Sequence, residues 1–382
     1  MSDNRPTPTH SLPHPVHSLP SLDWVRALAA IAVLVGHVYG YLFVFIPPQY
    51  LFARLLTFPF ALGHQGVLVF FVLSGFLVGG SVSRAVRANR WSWPDYLNRR
   101  LTRLYVVLVP ALLLGGAWDT AGLRWLAANG QYAGELAVGT LRAQLAWPVA
   151  AGNLAFLQRI LVPPFGTNAP LWSLSNEFWY YLLFPCALLV VARTTPRAAR
   201  VAYSAAVLAI AALLYKEKLE YMSLWLFGWG VWLAPPPKTA RWTGPLALAA
   251  TALLFTAALW TTVAQPHANQ HLADGLTALS FCPLLYCLAH RPPVGHPLGT
   301  RLAGLAYTLY ATHFPPLLFL SAWIVSRSGA RWPVDPAHVA LGAAAAAALL
   351  AYAALVARFT EARTDRVRAW ISARLTGSPR TR

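Results

Sequence analysis

Charged residues are scarce in this chain of 382 residues. They make up 11% of the sequence, against roughly 25% in an average soluble domain. Hydrophobic residues make up 57%, and the mean hydropathy is +0.49. Because a single soluble core stops growing at about 250–300 residues, one soluble domain cannot bury this much apolar side chain. The composition excludes a soluble or a disordered protein and indicates a membrane protein.

Acidic residues and cysteines are also few. The chain has 12 Asp and Glu against 30 Lys and Arg, which gives a formal charge of +18, and it has three cysteines. An odd number of cysteines in apolar stretches excludes a disulfide framework. A basic excess indicates nucleic-acid binding in a soluble protein, but in a membrane protein it marks the cytoplasmic loops. The positions of the cations therefore decide between these two interpretations.

Ten apolar segments approach the length of about 20 residues that crosses a bilayer. We predict an all-α polytopic membrane protein with about ten transmembrane helices around a central cavity. The segments are 22–46, 60–80, 101–117, 170–193, 201–215, 221–234, 244–264, 273–289, 302–324 and 337–358.

The basic residues are distributed unevenly between the two sides of this topology. With ten spans, 21 Lys and Arg fall in the tails and in the loops on the side of the termini, and 8 fall in the opposite loops. Cytoplasmic loops are enriched in Lys and Arg. We therefore predict a multi-pass protein of the cytoplasmic (inner) membrane with both termini in the cytoplasm. The bias also explains the basic composition without nucleic acid.

The remaining segments complete the predicted domain organisation. Residues 1–20 contain five prolines and three histidines, which is typical of a disordered cytoplasmic tail. Residues 21–358 form the ten-helix domain, and 359–382 form a basic cytoplasmic tail. The one long connection, 118–169, is predicted to lie on the outer side and to contain re-entrant or interfacial pieces. No signal peptide and no appended second domain are expected.

Two ionisable residues lie in the first apolar segment. Arg26 and His37 are eleven residues apart, close to three whole helical turns, so they share one face and are separated by roughly 16.5 Å along the axis. Ionisable groups inside a bilayer are by default functional hypotheses. An extended ligand along this face would place an anionic end at the arginine and a reactive end at the histidine. A histidine that only packs is the alternative.

Two further features lie on the next two segments. Ser74 and Gly75 form a notch of small residues that allows close helix approach, and Ser74 equally suits a hydroxyl that faces a ligand. Arg100 and Arg103 are three residues apart, on one helix face and level with Arg26. Arginine binds phosphate oxygens in a bidentate manner. Singly these arginines are topology signals, and together they indicate an anion site.

The fourth segment opens with aromatic and hydroxyl side chains around one carboxylate. These residues are Trp172, Ser173, Glu177, Tyr180 and Tyr181. Such a set suits a polyhydroxylated acceptor. An interfacial aromatic belt would explain the Trp and Tyr residues, but it would not explain Glu177.

His313 in the ninth segment precedes Pro315 by two residues. It either lines the cavity or hydrogen-bonds a carbonyl freed by the proline. His267 and His271 lie four residues apart, but no third ligand is visible nearby. Because a zinc site needs three or four ligands, no metal site is predicted.

Taken together, these motifs resemble the acyltransferase 3 family of integral-membrane O-acyltransferases over about residues 20–360. The resemblance implies an acyltransferase that moves an acyl group, usually acetyl, from cytoplasmic acyl-CoA to a hydroxyl of a glycan or related acceptor. It implies no permanently bound cofactor. The motifs are Arg26 and His37, Phe-Phe-x-x-Ser-Gly at 70–75, Arg100 and Arg103, Trp-Ser-Leu-x-x-Glu at 172–177, and Tyr-x-x-Tyr-x-x-His at 307–313.

This interpretation gives each candidate residue a role. We expect His37 to act as general base, since the unperturbed pKa of histidine is about 6.5, and Glu177 to be the second catalytic residue. The family often has a proline two residues after the glutamate that follows its last helix, whereas Glu361 is followed by Ala362 and Arg363. Donor-binding residues are expected to be Arg26, Arg100, Arg103 and Ser74, and acceptor-binding residues Trp172, Ser173, Tyr180, Tyr181 and His313.

Two other functions fit parts of the sequence. A transporter or flippase of a glycoconjugate or small metabolite also has many helices with buried polar groups, but inverted repeats and paired broken helices are not visible. A membrane glycosyltransferase would favour acidic residues clustered in an outer loop, and loop 118–169 has only Asp119 and Glu135. The acceptor stays open among lipopolysaccharide, capsule, peptidoglycan, a secreted glycoside and a macrolide-type metabolite.

Overall fold

The computed structural model is predominantly helical in the residues that it describes. Apart from helices, the described residues form two isolated β-bridges, Phe43 with Trp332 and Gln158 with Val162. The all-α fold class is therefore confirmed. The described residues are 20–44, 51–126, 132, 138–215, 217–264, 269–292 and 296–375.

Seventeen α-helices follow one another in the described residues. They are α1 Pro20–Leu42, α2 Leu51–Thr57, α3 Gly63–Ser74, α4 Gly80–Arg87, α5 Trp93–Trp125, α6 Val138–Gln144, α7 Trp147–Leu154, α8 Trp172–Val191, α9 Arg197–Leu213, α10 Glu217–Leu233, α11 Pro245–Ala264, α12 Gln270–Ala289, α13 Pro297–Ala303, α14 Ala306–Thr312, α15 Phe314–Ser328, α16 Pro336–Phe359 and α17 Thr364–Leu375. A π-helical turn, Gly75–Gly79, joins α3 to α4.

Among the residues that the structure describes, seven helical segments are long and apolar enough to cross a membrane, and a bent helix pair raises the number to eight. The chain is thus a multi-pass membrane protein. Helices α9 and α10 have 17 residues each and fall where the fifth and sixth apolar segments were predicted. The predicted count of ten is therefore approximate, and it depends on whether these two shorter helices are included.

Helix α5 is longer than the predicted segment 101–117. It begins after Ser92, whose hydroxyl accepts a hydrogen bond from the backbone of Asp95, and it continues through Pro110 to Trp125. Its first turns carry the arginines and its last turns are polar, so hydropathy detects only the centre. The boundary predicted at residue 118 is corrected accordingly, because the first eight residues of the expected outer loop are helical.

The predicted ninth segment is broken at His313. Helices α14 and α15 meet there at an angle of 58° when α13 is included with α14. Pro315 has no N–H to donate to the carbonyl of Ala311 four residues earlier. That carbonyl instead accepts a hydrogen bond from the side-chain amide of Asn168 at 2.9 Å. The break is thus stabilised by the connection that precedes α8.

The small-residue notch brings two helix backbones into contact. A Cβ atom on Gly75 would lie 1.7 Å from the carbonyl oxygen of Trp225, and one on Gly228 would lie 1.8 Å from that of Val72. The predicted close approach is therefore observed between the end of α3 and α10. It also brings the indole of Trp225 next to Ser74.

The connection between α5 and α8 is folded against the bundle. Helices α6 and α7 lie within it, and both carboxylate oxygens of the buried Asp119 accept 2.7 Å hydrogen bonds from the backbone and the hydroxyl of Thr167. Asn153 donates its amide to the carbonyls of Val149 and Pro163. Of the predicted outer loop, 127–131 and 133–137 lie outside the described residues.

Helix α17 lies within the segment predicted as a basic tail. Its Ser372 hydroxyl accepts a 2.7 Å hydrogen bond from Asn98 of α5. The C-terminal segment therefore continues the packed bundle beyond α16. The rest of that segment, 376–382, and residues 1–19 of the predicted N-terminal tail lie outside the described residues.

Candidate active site

A cavity of about 670 Å³ opens into one end of the bundle. Its walls come from α1, α3, the π-helical turn, α4, α5, α8, α13, α14 and α17. Among the described residues that line it, Glu177 is the one carboxylate. Positive charge is abundant by comparison. Six arginines border the same space: Arg26, Arg84, Arg99, Arg100, Arg103 and Arg368.

The three predicted arginines lie around this one cavity. Arg26 donates to Asp23 across 3.0 Å. Arg100 donates to the hydroxyl of Ser81 at 3.2 Å, and its guanidinium lies over the rings of Tyr96 and Tyr181. Arg103 projects from α5 with its side chain exposed to the cavity. The helix periodicity that placed these arginines on one face thus agrees with the structure.

The other three arginines are not among the donor-binding residues predicted from the sequence. Arg99 could have been included, because it lies four residues before Arg103 on the same helix. Arg84 follows the second apolar segment and was counted only as a topology signal. Arg368 carries no local signal, since its helix lies beyond the last apolar segment.

A hydrogen-bond network fixes the carboxylate of Glu177. Its Oε1 atom accepts from the hydroxyl of Ser74 at 2.9 Å and from the hydroxyl of Tyr181. The indole of Trp225 donates to the Ser74 oxygen at 3.1 Å. Because Oε1 accepts the hydrogen bonds from Ser74 and Tyr181, Oε2 is the oxygen left for a ligand in the cavity.

A second hydroxyl pair lines the cavity between α8 and α14. The Tyr310 hydroxyl lies 2.5 Å from the carbonyl oxygen of Pro170 and 2.6 Å from the Ser173 hydroxyl. A carbonyl can only accept, so Tyr310 donates to Pro170 and accepts from Ser173. Tyr310 belongs to the Tyr-x-x-Tyr-x-x-His motif, but the sequence alone predicts no role for it.

His37 and His313 form a hydrogen-bonded pair. His313 is fully buried, and its Nδ1 lies 2.8 Å from the carbonyl oxygen of Leu309, so this nitrogen carries the proton. Its Nε2 lies 2.8 Å from Nδ1 of His37. A neutral His313 therefore accepts at Nε2, and His37 donates from Nδ1. In this arrangement the lone pair of His37 is on Nε2.

Each histidine of the pair lies on a helix face whose other residues line the cavity. On α14, Ala306, Tyr307 and Tyr310 line the cavity, and His313 follows one turn later. On α1, Arg26 lines the cavity, and His37 lies three turns further along the same face. The half-buried His37 ring is flanked by Phe314 at 4.9 Å and Tyr41 at 6.3 Å between ring centroids. Both faces lead from the arginines towards the histidines.

Trp172 and Tyr180 lie behind the cavity wall. Their rings pack against Phe71, at 5.9 and 6.1 Å between centroids, and Trp172 also packs against Tyr221. Ser173 and Tyr181, by contrast, border the cavity directly. The five acceptor-binding candidates are therefore divided between the cavity, its outer wall and the histidine pair.

In the part of the chain that the structure describes, no group of three or more His, Cys, Asp or Glu side chains is arranged to hold a metal ion. His271 pairs with Glu220, and His267 lies outside the described residues.

The bundle thus combines an arginine-lined cavity with a hydrogen-bonded histidine pair. This arrangement is expected of a membrane enzyme with an anionic substrate. The family model described as an acyltransferase domain matches residues 19–356 of this chain. The chain thus belongs to the acyltransferase 3 family, as the sequence motifs indicated, and it is a membrane O-acyltransferase.

Two characterised relatives are similar to the chain. The acyltransferase MdmB of Streptomyces mycarofaciens is 27% identical over 336 residues, which cover 79% of this chain and 80% of that protein. The peptidoglycan O-acetyltransferase OatA of Listeria monocytogenes serovar 1/2a is 27% identical over 181 residues, covering 45% of this chain and 24% of that protein. No solved structure shows a significant match.

Proposed function

We propose that the protein transfers an acetyl group from acyl-CoA, bound in the arginine-lined cavity, to a hydroxyl of a glycan or glycoside, with His37 as general base. The observation that carries this proposal is the charge of the cavity, where six arginines face one carboxylate. Coenzyme A is an anion with a diphosphate and a 3′-phosphate. Arginine is the side chain best suited to such groups, because its planar donors match phosphate oxygens.

The volume and the lining of the cavity suit a large donor. Its volume of about 670 Å³ falls within the usual range for ligand pockets, roughly 300–1,000 Å³. Apolar side chains such as Val67, Phe70 and Leu77 line it together with the arginines. The diphosphate would bind Arg26, Arg100 and Arg103, while the pantetheine arm extends along the apolar wall towards His37.

The chemistry is a direct transfer. Nε2 of His37 takes the proton of the acceptor hydroxyl as that oxygen attacks the thioester carbonyl. The new C–O bond forms, the C–S bond breaks, and the thiolate of coenzyme A receives the proton from His37. The hydrogen bond from His37 Nδ1 to His313 holds the ring with Nε2 unprotonated, which is the form that a general base needs. His313 then acts through His37 and not on the acceptor.

Glu177 is proposed to bind the reacting groups inside the cavity. Its Oε1 is held by Ser74 and Tyr181, so Oε2 can accept a hydrogen bond from an acceptor hydroxyl or from the pantetheine amides. Ser173 borders the same space and can contribute a further polar contact. Trp172 and Tyr180 contribute by packing the wall behind these groups.

The orientation follows from the donor. Acyl-CoA is a cytoplasmic metabolite, so the end of the bundle with the six arginines is proposed to face the cytoplasm. The basic bias of 21 against 8 supports a cytoplasmic position for the termini, on the same side as this end. In a bacterium this corresponds to the inner membrane. One relative is a peptidoglycan O-acetyltransferase, which supports a hydroxyl acceptor, and we extend this class to glycans and glycosides.

The test is release of coenzyme A thiol from acetyl-CoA by the purified full-length protein in nanodiscs. Wild type is compared with His37→Ala, Arg100→Ala and the control Arg366→Ala, since Arg366 is exposed and does not border the cavity. Slow hydrolysis, or turnover with a trial glycan, should be lost in His37→Ala and weakened in Arg100→Ala. If wild type neither binds nor turns over acetyl-CoA, the proposal is wrong and transport becomes the function to assay.

A further inference from the structure

Helix α17 lies outside the segment that matches the family, yet it forms part of the cavity wall. The family match ends at residue 356, and α17 comprises Thr364–Leu375. Arg368 from this helix lines the cavity together with arginines of α1, α4 and α5. The donor site therefore includes a residue that the acyltransferase domain does not itself contain.

Specific contacts fix α17 at this position. The side-chain amide of Asn98 donates to the Ser372 hydroxyl at 2.7 Å and to the Arg368 carbonyl at 3.4 Å. Its carbonyl oxygen accepts from Thr102 at 3.0 Å. One turn before α17, the carboxylate of Glu361 accepts from the backbone and the hydroxyl of Thr308. The helix is thus attached to α5 and α14, both of which line the cavity.

The guanidinium of Arg368 is available to a ligand. It pairs with Asp365 at 3.1 Å, but the Asp365 side chain is 84% exposed. Exposed ion pairs contribute little, typically about 0–1 kcal/mol. An incoming phosphate can therefore replace this carboxylate at low cost. Arg84 and Arg99, which are also exposed, border the same cavity.

We infer that Arg368 binds the 3′-phosphate of the acyl-CoA donor. The inference rests on the proposed function, since it requires that acyl-CoA is the donor. The thioester must reach His37, three helical turns beyond Arg26, so the adenosine end of the donor remains at the opposite, open end of the cavity. Arg368 enters from the last helix at that end. In this arrangement α17 recognises the part of coenzyme A that is most distant from the reacting atoms.

Binding of coenzyme A and of dephospho-coenzyme A to the full-length protein in nanodiscs, measured by calorimetry, tests the inference. Arg368→Ala should raise the Kd for coenzyme A about tenfold, equivalent to about 1.4 kcal/mol, and should change the Kd for dephospho-coenzyme A less than about twofold. Arg366→Ala removes the same charge from the same helix and should change neither value.

Each other outcome has a distinct meaning. An equal loss for both ligands in Arg368→Ala would overturn the assignment to the 3′-phosphate. A Kd for coenzyme A that matches that of Arg366→Ala would exclude Arg368 from the donor site while leaving the proposed function intact. If wild type binds neither ligand, the proposed donor itself is wrong, and this inference fails with it.

Discussion

The Nδ1 atom of His37 lies 2.8 Å from the Nε2 atom of His313, although 276 residues separate the two histidines in the chain. The contact joins the first helix of the bundle to the break between α14 and α15. Because Nδ1 of His313 is bonded to a backbone carbonyl, the tautomers of both rings are set by their partners. Under the proposed function, His313 would therefore position His37 and not bind the acceptor itself.

The histidine pair predicts two different losses of activity. His37→Ala removes the base and should lower kcat by about 10²–10⁴-fold, the usual contribution of general base catalysis. His313→Ala keeps the base but frees its ring, so kcat should fall by a smaller factor. Neither variant should change the Kd of coenzyme A by more than about twofold, because the arginines proposed to bind its phosphates lie at the other end of the cavity. Initial rates and calorimetry on the same preparations measure both quantities.

His313→Gln provides the control for a structural effect. The glutamine carbonyl can accept the hydrogen bond from Nδ1 of His37, so this variant should recover part of the activity lost in His313→Ala. A kcat in His313→Ala equal to that of wild type would contradict the positioning role.

The carboxylate of Glu177 is predicted to matter for its charge and not for folding. Glutamine keeps a carbonyl oxygen that accepts from Ser74 and Tyr181, so Glu177→Gln should unfold within a few degrees of wild type. Its activity should nevertheless fall by at least about tenfold, as expected when a charged hydrogen bond of about 1.5–3 kcal/mol is weakened. Thermal unfolding and turnover with a trial glycan measure the two effects. Unchanged activity in Glu177→Gln would remove Glu177 from the catalytic set.

The close contact between α3 and α10 predicts that adding a single methyl group at this contact will cause a large loss of stability. In Gly75→Ala and Gly228→Ala the new Cβ would overlap a backbone carbonyl oxygen, at 1.7 and 1.8 Å. The oxygen belongs to a helix backbone and cannot turn away, so we expect a destabilisation at or above the usual overpacking range of about 1–3 kcal/mol. The thermal unfolding midpoint of the detergent-solubilised protein measures it.

Gly230 is a matched control on the same helix as Gly228. A Cβ there meets nothing within 4 Å, and alanine is favoured over glycine inside a helix by about 1 kcal/mol. Gly230→Ala should therefore leave the unfolding midpoint unchanged or raise it. Equal midpoints for Gly228→Ala and Gly230→Ala would show that the helices can separate without loss.

Relations within one helix could be predicted from the sequence. Arg26 and His37, and likewise Arg100 and Arg103, share a face because helical periodicity is fixed by local geometry. Ser173, Glu177 and Tyr181 of the aromatic motif border the cavity. Trp172 and Tyr180 lie behind its wall because the helix carries them round to another face, and hydropathy does not show which face meets a neighbour.

Relations between distant segments could not be predicted. The pairing of Ser74 with Glu177 depends on how α3 packs on α8, and the role of Arg368 depends on where a polar helix lies after the last span. The break at His313 was anticipated only as a carbonyl freed by proline. The partner of that carbonyl, Asn168, lies in a connection whose fold depends on buried polar contacts and not on hydrophobic pattern.

That connection carries the last prediction. Asp119 accepts two 2.7 Å hydrogen bonds from Thr167, next to Asn168, which holds the carbonyl of Ala311. Asparagine has one acceptor oxygen and no charge, so Asp119→Asn loses one of the two charged hydrogen bonds, and its amide N–H can at most donate to the Thr167 hydroxyl oxygen. Breaking a buried hydrogen bond to a charged group costs about 1.5–3 kcal/mol. We expect a lower unfolding midpoint, faster proteolysis within 145–171, and lower kcat, since Ala311 lies two residues before His313. Thr167→Ser keeps both donors and should behave like wild type. Full activity in a destabilised Asp119→Asn variant would show that this connection stabilises the bundle without positioning the histidine pair.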